Sequence, residues 1–290
     1  MSMPVETIIS DDNAETLAES GFYWRERSGV KLLVCKHLED AGFANGFSTR
    51  VGGVSPFPEY SLNLAGFDED LAENIHENRR RFIAMFGGEY RLATQWQVHG
   101  DGIRMIDSEA DLADGEAKYD GLVSRLRNIL VGVKTADCVP VLIGDPVTRS
   151  FAAVHAGWRG TVKSIVVRAV EKMQENFGSE PKDMIAAIGP AAGCKNYEIG
   201  QDVIDAFGSA FSTAEKYFSP TSEGHALIDL HLANMDQLIS CGVPFANIYT
   251  SPFCTMARLD LFFSYRVEKK LYGKTGRLMS AIGLRQDEFH

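Results

Sequence analysis

Residues 131–160 read VGVKTADCVPVLIGDPVTRSFAAVHAGWRG, and the rest of the chain is organised around them. The apolar run before Thr135 and the run over residues 139–143 are short, β-branched and bounded by turn residues, the pattern of buried strands. Gly144, Asp145 and Pro146 interrupt the chain. A third run over residues 150–155 leads to Gly157 and Gly160, which bracket Trp158 and Arg159 ahead of a helix. An antiparallel hairpin with Ile143 opposite Ser150 sets Cys138 opposite His155. Directly opposed residues have Cβ atoms about 4.5–5.5 Å apart, which lets a thiolate and an imidazole share one metal ion. A slip of one residue would send the two side chains to opposite faces. Taken singly, a cysteine in an apolar strand is a small core residue and a histidine at a strand end is a hydrogen-bonding one. The pair, each at the point where apolar chain gives way to polar, argues for chemistry.

At 290 residues and 45% hydrophobic, the chain is long enough for a large core without staples. Its net charge of -10 repels phosphate backbones and anionic membranes, so no nucleic-acid or membrane partner is expected. The N-terminus has no basic segment followed by an apolar run, and no stretch approaches the ~20 apolar residues of a membrane span. A cytoplasmic location is expected. The five cysteines (Cys35, Cys138, Cys194, Cys241, Cys254) are scattered and odd in number, which fits reduced thiols.

Residues 1–20 read as a loose N-terminal tail and residues 21–290 as a single catalytic domain, with no linker or repeat between them. Residues 22–25 and 30–35 form a hairpin about Ser28 and Gly29. Residues 45–66 are rich in Gly, Ser and Pro yet too apolar for a linker, and read as an ordered loop. Asp68, Glu69 and Asp70 lead into a helix with Leu71, Ile75, Asn78, Phe82 and Met85 on one face, closed by Gly87 and Gly88. Alternation in ATQWQVHGDG places Gln95, Gln97 and His99 on an exposed polar side and Trp96 and Val98 on the other. Thr161 caps a helix whose inner face carries Ile165, Val166, Ala169, Val170 and Met173.

His99, Cys138 and His155 make three ligands with no evident fourth. That is the complement of a catalytic zinc site, in which one position stays open for water or substrate. Copper is the lesser alternative: His2Cys also describes a blue-copper site, but the seven histidines include no His-x-His pair of the multicopper kind. A metal-free reading makes Cys138 the nucleophile, His155 its base and Asp137 or an asparagine the orienter. Arg50 in FSTRVGG and Arg159 in HAGWRG lie beside glycines whose amides can nest a phosphate or carboxylate. The competing reading is a structural arginine tying loop carbonyls.

Together QVHG, TADCVPVLI, AVHAGWRG, GFSTRVGGVS, IGPAAG, YEIG, FFSYR and TGR resemble one family, the polyphenol oxidase or laccase-domain proteins regarded as purine nucleoside phosphorylases. The resemblance runs over residues 46–284. It implies an α+β fold of mixed β-sheets flanked by helices, similar to that of some cysteine hydrolases. It implies zinc on His99, Cys138 and His155, and an anion site at Arg50. The implied activity is phosphorolysis of adenosine, inosine and methylthioadenosine to free base and ribose 1-phosphate, with adenosine deamination. Purine nucleoside and phosphate are the implied partners, and the chain is expected to be a monomer or homodimer. Asp137 or Glu198 would move protons. Amidase action on a cell-wall precursor, or copper-dependent polyphenol oxidation, are the alternatives.

Overall fold

The computed structural model describes residues 14–57, 60–66, 69–113 and 116–286. Its strands are β1 (Phe22–Arg27), β2 (Val30–Cys35), β3 (Phe43–Ser48), β4 (Arg91–Ala93), β5 (Ile103–Ile106), β6 (Gly121–Ser124), β7 (Ile129–Thr135), β8 (Val139–Asp145), β9 (Ser150–Ala156), β10 (Ile185–Ile188), β11 (Glu198–Gly200), β12 (Phe218–Ser222), β13 (His225–Ile228), β14 (Ile248–Thr250) and β15 (Leu278–Leu284). The helices are α1 (Ala14–Glu19), α2 (Lys36–Asp40), α3 (Ala72–Ala84), α4 (Trp158–Val162), α5 (Ile165–Phe177), α6 (Gln201–Ala210), α7 (Leu230–Ser240) and α8 (Tyr265–Tyr272).

Two six-stranded sheets, in the orders β1-β2-β3-β15-β7-β4 and β14-β10-β8-β9-β6-β5, accompany a small sheet of β11, β13 and β12. Each large sheet is mainly antiparallel with parallel edge pairings, β4 on β7 in the first and β14 on β10 and β5 on β6 in the second. The expected α+β architecture of mixed sheets and flanking helices is therefore present.

Strand parity sorts the core into layers. Ile129, Val131 and Val133 of β7 join Leu142 of β8 and Phe151 and Ala153 of β9 in one cluster between the two large sheets. The alternate residues Val139, Val141 and Ile143 of β8 and Ala152, Val154 and Ala156 of β9 pack outward on α5 and α7. Leu130, Met279 and Ala281 pack on the other outer face with Phe82 of α3. Burying both faces of a strand removes any need for polar alternation, which is why β7 to β9 read as continuous apolar runs.

Several expectations are revised. The hairpin β8–β9 pairs Asp145 with Ser150 and Pro140 with His155, two residues from the expected register. The cause is Asp145, whose carboxylate accepts from the amides of Val147 (2.8 Å) and Thr148 (3.3 Å) and so keeps the residue in the strand as the turn's anchor. A two-residue shift preserves parity, so His155 and Cys138 still face the same layer.

Gln95 is 1% exposed while Trp96 is 57% and Val98 45% exposed, the reverse of the expected facing. The amide of Gln97 accepts from Lys134 N–H (2.8 Å) and donates to its carbonyl (2.7 Å), taking the place of a strand partner and turning the glutamines inward. Leu71 is exposed and stands before α3 rather than on its buried face, and Asp68 lies outside the described residues. Thr161 does not cap α5; it lies within α4 and receives Asn234 Nδ2 (3.1 Å), while Ser164 with φ 60° precedes α5.

Of the expected N-terminal tail, residues 1–13 lie outside the described residues, but residues 14–19 form α1 with Leu17 buried. The ordered-loop reading of residues 45–66 yields its first four residues to β3. Beyond them Asn78 of α3 organises the loop, donating to Ser55 Oγ (2.8 Å) and Asn63 carbonyl (2.9 Å) and accepting from Val54 N–H (2.9 Å). All five cysteines are free thiols, as expected. Among the described residues no helix is long and apolar enough to cross a membrane.

Candidate metal centre

Cys138 precedes β8 and His155 lies near the end of β9, both with the parity of the layer between the sheets. His99 comes from the irregular chain after β4. Their ligand atoms all lie within 4.8 Å of one another, His99 exposed, Cys138 half-buried and His155 buried. Among the described residues this cluster has three members, and the two imidazoles meet edge to face with centroids 4.9 Å apart.

The histidines are held by a carboxylate that the sequence reading passed over. Asp120 is fully buried immediately before β6, and the β6–β9 register sets it beside His155, whose N–H donates to the Asp120 carbonyl at 2.7 Å. Asp120 Oδ1 also stands 2.8 Å from His155 Nδ1. A donor at Nδ1 leaves Nε2 as the lone-pair nitrogen facing Cys138, the arrangement that orients metal-binding imidazoles. The same carboxylate accepts from the amides of Val98 (3.2 Å), His99 (2.9 Å) and Gly100 (2.7 Å). Those contacts fix His99 at φ 58°, a left-handed conformation uncommon for a side-chain-bearing residue. A sequence signal existed: an aspartate directly before the strand that pairs with the histidine strand.

Burial pushes the Cys138 thiol up, but His155 and His99 outweigh it and lower it to about 6. Burial works against the charged form of His155 as well, yet Cys138 and Asp120 raise it to about 9. A thiolate flanked by two imidazoles, one backed by an anion, is a donor set suited to a borderline divalent cation. Gly157 supplies the space. A Cβ there would lie 3.1 Å from Cys138 Sγ, 3.1 Å from His99 Cδ2 and 3.7 Å from His155 Cε1. The residues present therefore fit a metal ion with a vacant coordination position.

Arg50 does not reach out to an anion nest. Its guanidinium donates to the carbonyls of Leu259 and Phe262 and to Glu268 Oε1 (2.9 Å), and is largely buried with its charge matched. These are the contacts of a structural arginine. Arg159 is exposed, its guanidinium 4.1 Å above the Trp158 ring. Asp137, at φ 91°, faces away from open water: Oδ1 accepts from Thr255 Oγ1 (2.7 Å), and Oδ2 from Ser264 Oγ (3.0 Å) and Arg266 N–H (2.7 Å). Burial raises its pKa despite these donors. With its lone pairs committed, it braces the segment before Cys138. Glu198 is exposed and accepts from Thr221 Oγ1 at 2.7 Å.

Beside the thiolate, two further residues escaped the sequence reading. Tyr197 lies where burial and the negative charges of Cys138 and Asp137 raise its pKa, and Arg266 lies 4.9 Å over its ring. The motif fragments YEIG and FFSYR contain both.

Residues 44–285 match the family described as multi-copper polyphenol oxidoreductase laccase. The chain is 32% identical over 252 residues to purine nucleoside phosphorylase YlmD of Bacillus subtilis, covering 83% of this chain and 88% of the relative. It is 36% identical over 261 residues to a purine nucleoside phosphorylase of Deinococcus radiodurans, covering 90% and 95%. The crystal structure of YlmD from Geobacillus stearothermophilus superposes with a TM-score of 0.83 at 32% identity, covering 92% of this chain and 99% of that one.

Proposed function

The chain belongs to the multi-copper polyphenol oxidoreductase laccase family, and from that premise we propose that it is a zinc-dependent purine nucleoside phosphorylase that also deaminates adenosine. The carrying observation is the convergence of His99, Cys138 and His155 within 4.8 Å, with Asp120 behind His155, in a chain whose relatives are named purine nucleoside phosphorylases. Adenosine, inosine and methylthioadenosine are the proposed substrates. Three protein ligands leave a cation one open position, the arrangement of catalytic rather than structural zinc. When bound, zinc supplies a Lewis acid in a partly buried site.

The protein's own groups do the rest. Asp120 orients His155 and pins His99; Gly157 keeps the space above the ligands clear; Cys138 and His155 offer a thiolate and a ring nitrogen to the ion. Copper chemistry of the multicopper kind needs further imidazoles, and the group contains two.

The test is direct. Purified protein is analysed for bound metal and incubated with adenosine or inosine, with and without phosphate, while hypoxanthine, adenine and inosine are followed. Zinc at one ion per chain with phosphate-dependent base release is the expected result. Absence of base release with any of the three nucleosides would overturn the reading. One observation favours a second reading: Asp120 completes a Cys138–His155–Asp120 series of the kind used by cysteine hydrolases. Such an enzyme keeps its activity under chelation and loses it to thiol alkylation.

A further inference from the structure

Phosphorolysis requires an anchored anion, and the arginine expected to provide it is committed elsewhere. Arg50 is buried, and three of its donor contacts go to two carbonyls and the Glu268 carboxylate. We propose that Arg266, laid against Tyr197, is the anion anchor of this site and seats the phosphate that attacks the nucleoside. The proposal rests on the phosphorolytic reading above.

Arg266 belongs to the first turn of α8, and its own backbone N–H donates to Asp137 Oδ2 at 2.7 Å, so the residue is tethered beside the thiolate ligand. Its side chain is exposed to solvent. Nη1 donates to the Glu198 carbonyl (2.8 Å), and Cζ sits 4.9 Å from the centre of the Tyr197 ring. Among the described residues no carboxylate stands within ion-pair distance of it, in contrast to Arg50, Arg258 and Arg81. The guanidinium is thus positioned on two sides, by a carbonyl and a ring, and, although it lies in the field of Asp137, it is locked in no ion pair. That state suits a forked donor awaiting an oxyanion. Tyr197 links the two parts of the site, since its ring carries Arg266 and its hydroxyl lies in the field of Cys138.

The reaction balances without any other reagent. A phosphate oxygen forms a bond to C1′ as the C1′–N9 glycosidic bond breaks. The electron pair leaves on N9, and the proton that hydrogen phosphate gives up is the one the free base gains. Positive charge building on the sugar is opposed by the phosphate that Arg266 holds in place.

The experiment uses full-length, zinc-loaded protein and inosine, with inorganic phosphate varied. Arg266→Gln is expected to raise the KM for phosphate by about tenfold or more and that for inosine by less than about twofold, and Arg266→Lys to fall between. Tyr197→Leu is expected to raise the phosphate KM in the same direction. An unchanged phosphate KM in Arg266→Gln overturns the assignment. So does a parallel rise in both KM values, or a rise confined to Arg159→Gln. Calorimetric titration of inorganic phosphate into wild type and Arg266→Gln keeps the two readings separable. If wild type releases no base but binds phosphate through Arg266, phosphorolysis fails and the anchor stands. If wild type is phosphorolytic and both proteins bind phosphate alike, the anchor alone fails.

Discussion

Asp120 Oδ1 lies 2.8 Å from Nδ1 of His155, and the two residues also share a backbone hydrogen bond of 2.7 Å. His155 is therefore held by side chain and main chain of a single neighbour. Asp120→Asn preserves shape and removes the charge. Metal affinity is expected to fall roughly 10–100-fold, with activity restored at high zinc, because outer-shell partners set ligand basicity and orientation. Competition with a chromogenic chelator measures it; equal affinities in both proteins would refute the role.

Gly157→Ala is a test of space rather than of backbone freedom. The residue has φ -68°, which alanine adopts without strain, but its Cβ would lie 3.1 Å from both Cys138 Sγ and His99 Cδ2. Zinc affinity is expected to weaken by about tenfold or more, while the metal-free protein loses less than ~1 kcal/mol. Paired melting curves with zinc and with chelator separate the two quantities.

Arg50→Ala is expected to act through folding. It would leave the buried Glu268 carboxylate, whose side chain is 2% exposed, without its counterion and held only by Ser264 N–H and Thr275 Oγ1, at a cost of about 3 kcal/mol. Base release and deamination should then decline together, following the folded fraction, and denaturant melts read the loss. Selective loss of phosphorolysis in a fully stable variant would restore Arg50 to the anion site.

Lys134 gives a pH signature. Burial first, and Arg79 second, lower its pKa to about 8 from the ordinary 10.5. Between those values the unfolded chain binds more protons than the folded one, so this lysine's contribution to stability rises with pH through that window. Lys134→Met is expected to be more stable than wild type by about 1–3 kcal/mol at pH 7. The gap should close as pH climbs past 8 towards 10.5, followed by chemical melts across that range.

The sheet core was legible because β7, β8 and β9 are short β-branched runs between glycine, proline and aspartate, and the β1–β2 turn because Ser28 and Gly29 both accept positive φ. That Cys138 and His155 share a face was legible for a related reason: parity survives a two-residue error in register. What escaped depends on side chains that stand in for backbone. Asp145 lengthened its strand by capping its own turn, and Gln97 completed a ladder with its amide. Asp120 could have been found from the strand it precedes, since β6 and β9 are neighbours. The partners of Arg50 could not, because Leu259, Phe262 and Glu268 lie more than two hundred residues away and no local pattern links them.

Three consecutive amides and one imidazole all end on the carboxylate of Asp120. Support of this kind is concentrated on one side chain. A perturbation that unseats this one side chain releases the His99 loop and the His155 ring in the same event, so the site should pass from competent to incompetent in one step, without a half-assembled stage. Amide exchange at residues 98–100 should accordingly show a single shared opening rate, even though Val98, His99 and Gly100 differ in their exposure to water.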